Sequence, residues 1–410
     1  MGNRGRCARP PVDYVKSPTG TLATTLTREV MTRRHILKTV FVVILLAGAT
    51  RTEAQLAPPM MRIKAIGKEG AGNPAAAQAW KELTNQGPEV LTEVLAALDD
   101  ATPIAANYLR SAVEAIADKA LANGKPLPKD KLEAFIRATR HAGAGRRLAY
   151  DLLVRIDPTT PGRLLPGMLD DPGAELRRDA VAVLVKDAAA RLDKGDKDGA
   201  LTVYRKALGH ARDREQVKLL AKQLKSLGVE ADLLKHFGYV TRWMVIGPFD
   251  NTDGTGFHKT FPPEKGVDVK AAYRGKDDKE VRWAEQTANK DGEIDFNKLY
   301  GEQKGVTAFA YAVVESPAER AMEVRAESND AIRIYLNGKE IFAREEYHHG
   351  TRMDQHIGRG VLKAGRNTIL IKVCQNEQSD DWARLWSFRL RVCDAIGGAV
   401  PLTQEVKRQK

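Results

Sequence analysis

The chain has 410 residues, 43% hydrophobic and 29% charged, a composition that fits soluble globular domains and supplies apolar material for two cores. Its formal charge is +12, and the first 54 residues carry half of it, with nine Lys/Arg against three Asp/Glu. That leaves 56 of the 65 basic and 50 of the 53 acidic side chains for the rest, a dispersed excess with no basic stripe, so no nucleic-acid partner is expected.

The N-terminus is patterned as an address. Arg33, Arg34 and Lys38 precede an apolar run over 40–49, and Thr52-Glu53-Ala54 is a small-x-small cleavage site. A run of about ten residues is half of what a bilayer core requires of a helix, which excludes a stable span there. Residues 1–54 are therefore read as leader and signal peptide, with the signal at 31–54 and a periplasmic or extracellular destination. The order Thr32-Arg33-Arg34-His35-Ile36-Leu37-Lys38 also resembles the twin-arginine export signal.

Residues 60–236 repeat their apolar side chains at helical spacing. Val94, Leu95 and Leu98 share one stripe, Leu109, Val113 and Ile116 another, and pairs of helices follow over 129–140 and 146–156. Asp170-Asp171-Pro172 caps and opens a helix carrying Leu176, Arg177, Ala180, Val181 and Leu184. A leucine helix, an acidic-Pro turn and a helix with Arg and Ala at fixed places resemble HEAT repeats over about residues 75–190. Residues 200–208 resemble one tetratricopeptide helix. The resemblance implies an α-solenoid that docks a protein partner.

Near residue 237 the spacing changes from helical to alternating. Trp243-Met244-Val245-Ile246-Gly247-Pro248-Phe249 reads as an opening strand, and 307–314, 322–327, 368–374 and 386–392 as further strands. Asn337-Gly338 between two apolar runs is a two-residue hairpin, because both positions must take positive φ. Ser328-Asn329-Asp330, the Ile334–Ile341 hairpin, Leu362-Lys363-Ala364-Gly365-Arg366-Asn367 and the closing aromatic strand resemble, in that order, the galactose-binding-like jelly rolls attached to bacterial glycosidases. The resemblance implies a β-sandwich over 237–396, with 397–410 as a flexible tail. The fold class expected is thus multidomain, all-α followed by all-β.

The common catalytic and phosphate-cradling signatures are missing from this sequence, and the reading is non-catalytic. The densest polar stretch, 345–356, holds three of the eight histidines. His348, His349, Asp354 and His356 are metal candidates there, and Tyr347, His348 and Arg352 are ligand candidates. Around 375–382, Asn376, Asp381 and Trp382 join the ligand set, since an indole face offers a stacking platform for a sugar ring. Trp386, at a strand start, reads as core. Asp250 and Asp253 alternate with Asn251 and Thr252 in a pattern that suits calcium, the only cofactor considered. Cys374 shares a strand face with Lys372, and Cys393 with the arginines of its strand. If the two strands are neighbours, an exported protein permits a disulfide between them.

The function expected is an exported binding protein, in which the sandwich holds a glycan or cell-surface polymer and the helices dock a protein. Two other readings are a structural protein–protein adaptor of the cell envelope and a hydrolase with a site in the 345–382 loops.

Overall fold

The computed structural model describes residues 56–404. The signal reading at 31–54 lies outside them. Helices fill the first part of this span, the longest being Pro103–Ala122 and Ala174–Asp193. Local chemistry sets their ends. Thr102 accepts from the Ala105 amide (3.3 Å) and Pro103 opens the helix without wasting a donor. Asp196 caps Lys197–His210 through the Gly199 amide at 2.9 Å, and Asp213 caps Arg214–Ser226. Gly228, at φ 81°, takes the left-handed turn that ends the last long helix. Each helix packs chiefly on its neighbours in sequence. Most of the expected stripe residues, among them Leu109, Val113, Ile116, Leu176 and Val181, are buried in one core, and Leu184 is partly buried against it.

Strands begin after the short helix Leu233–Phe237. They are β1 (Arg242–Asp250), β2 (Ala272–Arg274), β3 (Glu280–Arg282), β4 (Ala284–Thr287), β5 (Glu293–Asp295), β6 (Val306–Ser316) and β7 (Arg320–Ser328). The rest are β8 (Ala331–Leu336), β9 (Lys339–Arg344), β10 (His356–Leu362), β11 (Gly365–Gln375), β12 (Ser387–Cys393) and β13 (Thr403–Gln404). One antiparallel sheet runs β4-β1-β6-β11-β8-β9, with β13 added on β6, and a second runs β10-β7-β12-β5. The sheets face each other across a core distinct from that of the helices. Val245, Ile334, Ile371 and Val373 enter it from the first sheet, and Val324, Phe388, Leu390 and Val392 from the second. The hairpin at Asn337-Gly338 has φ 52° and 79°, the double positive turn its sequence demands.

Two expectations are corrected and one feature is added. First, the chain from 397 to 404 is anchored. Val400 is in the core, Thr403 and Gln404 pair with Glu315 and Val314, and the Gln404 side-chain carbonyl accepts from the Thr241 and Arg242 amides at 2.9 and 3.1 Å. Second, Cys374 and Cys393 are both free. The faces assigned to them hold, but β11 and β12 belong to different sheets. The alternation that sends Val373 and Val392 into the shared core turns the two thiols outward on opposite sides of the domain. Third, the outer face of the first sheet is not open. Residues 251–283 fold over it, so that Phe249, Phe261, Trp283 and Phe309 form a further apolar layer. Lys372 is fully buried beneath that layer, and its ammonium meets Glu264 (3.1 Å) and the carbonyls of Phe257 and Lys259.

Candidate functional site

The polar residues singled out in 345–382 divide among three places. The first is one end of the sheet domain, where the β7–β8 turn, the loop after β9 and the loop after β11 meet. His348 takes φ 53° and sinks its ring inward, leaving its side chain 1% exposed. One ring nitrogen meets Asn376 Oδ1 and the other lies 3.1 Å from Asp330 Oδ1. The His348 amide also donates to Asp330 at 3.3 Å. Burial raises the Asp330 carboxyl to about 7 and pushes the imidazole below its ordinary range, so both groups are shifted toward their uncharged forms. Tyr347 turns onto Phe257 and Cys374, and burial raises its phenol to about 12.

Above this neutral floor stands Trp382, in the turn Asp381–Ala383. Its indole is 63% exposed and meets the His348 ring edge-on at 6.1 Å between centroids. Leu385 is exposed beside it, whereas Trp386 is buried in the core as its strand position implies. Asp381 pairs with Arg384, and Gln378 donates to Asp380 at 3.0 Å. The end therefore offers one apolar plate on a loop that also carries amide, carboxylate and guanidinium groups. Of the ligand candidates, Trp382, Tyr347, His348, Asn376 and Asp381 gather here.

Arg352 does not. It lies on a second groove with His349, His356, Glu346 and Gln355. The His349 and His356 rings are 5.8 Å apart between centroids and nearly perpendicular. His349 Nδ1 is engaged by the Gln355 amide at 2.6 Å, and burial pushes His356 down to about 4. The third place holds Asp354, which turns away toward the helices. Its Oδ1 accepts from Arg391 Nε and its Oδ2 from Arg391 Nη2 and Arg325 Nη1, at 2.7, 2.6 and 2.7 Å.

The proposed metal set of His348, His349, Asp354 and His356 is thus split over all three places. Asp250 accepts from the Thr252 hydroxyl at 2.7 Å, and the Asp253 amide donates to Glu377 at 2.8 Å. Among the described residues no three His, Cys, Asp or Glu side chains are placed to hold a metal ion, so neither the histidine set nor the calcium pattern is assembled as a site.

Two features escaped the sequence reading. Asp330 was noticed as part of a turn motif and not as a buried acid. Arg391 is read only as a face-mate of Cys393 and its meeting with Arg325 goes unread, although alternation on β7 and β12 puts both on outer faces. Their strands pair Arg391 directly opposite Arg325, and like charges so placed require a counter-charge.

No family model matches the chain, and no curated protein matches it. Among solved structures it is similar to an anti-sigma factor domain-containing protein, at 13% identity and a TM-score of 0.23, over 42% of this chain and 44% of that one. It is also similar to a GH31 alpha-xylosidase from Xanthomonas citri, at 12% identity and a TM-score of 0.18, over 27% of this chain and 15% of that one. The chain spans under half the length of either protein, and overlaps this slight carry no argument about fold or activity.

Proposed function

We propose that this is an exported, non-catalytic binding protein whose sheet domain, resembling galactose-binding-like modules, holds a glycan or cell-surface polymer at the Trp382 end. The observation that carries the reading is the 63% exposure of the Trp382 indole. A large ring left in water costs hydrophobic free energy, and such plates mark places where a partner covers them. Asp381, Arg384, Asn376 and Gln378 lie within a few residues of it in chain order and supply the donors and acceptors that hydroxyl groups need. The Asp330–His348 pair lies beneath the indole as part of the packed floor of the plate. His348 Nε2 meets Asn376 Oδ1, Nδ1 lies 3.1 Å from Asp330 Oδ1 without a hydrogen bond, and the side chain is out of contact with solvent. The helical part, resembling HEAT-like repeats, is the proposed docking surface for a protein.

The full chain applied to an array of bacterial and plant glycans tests the reading, with Trp382→Ala beside it. Retention of one glycan class by the wild type and its loss in the variant is the expected outcome. A folded wild type that retains no glycan would remove the carbohydrate reading. Envelope proteins captured through Trp382 in that case would shift it to an adaptor.

A further inference from the structure

Where the helices meet the second sheet, a cavity of about 290 Å³ is lined by five arginines against three carboxylates. It is built from both parts of the chain. Arg177 comes from the helix Ala174–Asp193, Arg212 from the turn after Lys197–His210, Arg325 from β7 and Arg391 from β12. Gly397 lines it and Gly398 follows. A Cβ at Gly397 would come within 3.0 Å of Arg325 Nη1 and 3.3 Å of Arg391 Nη2, and one at Gly398 within 2.8 Å of Asp394 Oδ2 and 3.0 Å of Arg212 Nε and Nη2. Three guanidinium groups thus converge on two adjacent glycines.

These arginines are not equally committed. Arg391 uses Nε and Nη2 on Asp354 and Nη1 on the carbonyls of Phe237 and Gly397. Arg325 is taken by Asp354, Glu323 and the Ala395 carbonyl. Arg178, at the rim, pairs with Asp213 and Glu215. Arg177 and Arg212 differ. Arg177 is only 7% exposed and gives one nitrogen to the Asp171 carbonyl. The Asp171 carboxylate is already held by Arg146 through both oxygens. Arg212 gives one nitrogen to the carbonyls of Gly209 and Ala211, and its Nε is buried with no partner. Among the described residues neither side chain forms an ion pair. Burial pushes both guanidinium groups below their ordinary range, and a neighbouring cation adds to it in each case, Arg212 at Arg177 and Arg391 at Arg212. Asp394, Asp170 and Asp171 offset part of this charge from a distance, but a buried donor without a partner and two guanidinium groups without a direct ion pair remain costly.

We propose that this cavity is an oxyanion site, in which Arg177 and Arg212 hold a phosphate, sulfate or carboxylate group between the helices and the sheet domain. The guanidinium fork matches such groups with paired hydrogen bonds. The bound anion ties the two parts of the chain together, because its two ligands stand on the helices while Gly397, Arg325 and Arg391 close the other side.

Isothermal titration of the full chain with inorganic phosphate, sulfate and malonate, each at constant ionic strength, tests the site. The same titrations are run on Arg177→Gln, Arg212→Gln and Gly398→Ala. Saturable binding of one anion per chain is expected, and each arginine variant should weaken it about tenfold or more, as losing one charge-assisted contact does. Gly398→Ala leaves every charge in place and should weaken binding by crowding Arg212. Preference for phosphate and sulfate identifies a tetrahedral group, and preference for malonate a carboxylate. No saturable binding to the folded wild type overturns the proposal, as does binding that both arginine variants leave unchanged.

Discussion

Asp330, beneath Trp382, and Asp354, against the helices, are carboxyls of one sheet domain that have met burial in different ways. Among the described residues no Lys or Arg forms an ion pair with Asp330, and desolvation outweighs the more distant Lys304 and raises the carboxyl to about 7. Its neighbour His348 is pushed the other way, and the cluster is neutral. Desolvation also acts on Asp354, yet the guanidinium groups of Arg391 and Arg325 outweigh it and hold the carboxyl below its ordinary range. One end of the domain is therefore an uncharged floor and the other an ionic lattice. Each arrangement fits what lies above it. An apolar indole covers the neutral floor, and the lattice borders a cavity with charge to spare.

The contrast makes its strongest demand at Asp354. Removing this carboxylate leaves Arg391, itself 3% exposed, without its ion-pair partner and facing Arg325, which keeps Glu323. Asp354→Ala should destabilise the chain by about 3–5 kcal/mol, the usual cost of breaking a buried pair. Asp354→Asn should cost nearly as much, because the charge and not the shape is what is lost. Equilibrium urea unfolding measures both. A loss under 1 kcal/mol for either would mean that the lattice is not held by charge.

The same contrast shows what alternation in a sequence does and does not reveal. The period-two pattern placed Cys374 with Lys372, and Cys393 with Arg391, and both placements stand. Pattern fixes the face of a strand but not the sheet to which the strand belongs, so the thiols that could have met lie on opposite sides of the domain. The covering layer over 251–283 was legible in part. Trp243, Met244, Val245 and Ile246 are four apolar residues in a row, the pattern of a strand buried on both faces. The polar loop at 345–356 was legible as a cluster and misread as one site. Adjacent residues such as His348 and His349 diverge when one of them takes a positive φ, and no spacing rule announces that. Arg177 and Arg212 lie 35 positions apart in sequence and come together only through helix packing.

Proton linkage separates the two kinds of burial next. Asp330 keeps its proton in the folded chain up to about pH 7, whereas the unfolded chain loses it near 3.8. Its contribution to stability is therefore complete below about pH 4 and is lost as pH rises toward 7. His356 has the opposite sign. Pushed down to about 4 from 6.5, it stays neutral when folded, so its contribution is complete above about pH 6.5 and is lost as pH falls toward 4. Asp330→Asn removes the first effect alone. Relative to wild type, the variant should gain stability steadily between about pH 4.5 and 7.5, read from denaturant midpoints at each pH. A difference that stays flat over that range would show that Asp330 is ionised in the fold and that its end of the domain is not neutral.

The smallest expected effect is the most informative about the plate. Trp382 is a large apolar residue outside every core cluster, so Trp382→Ala should change unfolding free energy by no more than about 0.5 kcal/mol. Phe388, buried and packed edge-on against Trp243 at 5.2 Å, should cost about 3–5 kcal/mol when truncated in the same way. The difference between the two truncations measures how far Trp382 is kept for something other than folding. Loss at Trp382 approaching that at Phe388 would make the indole a plug over the domain end. Its exposure would then no longer support a binding plate.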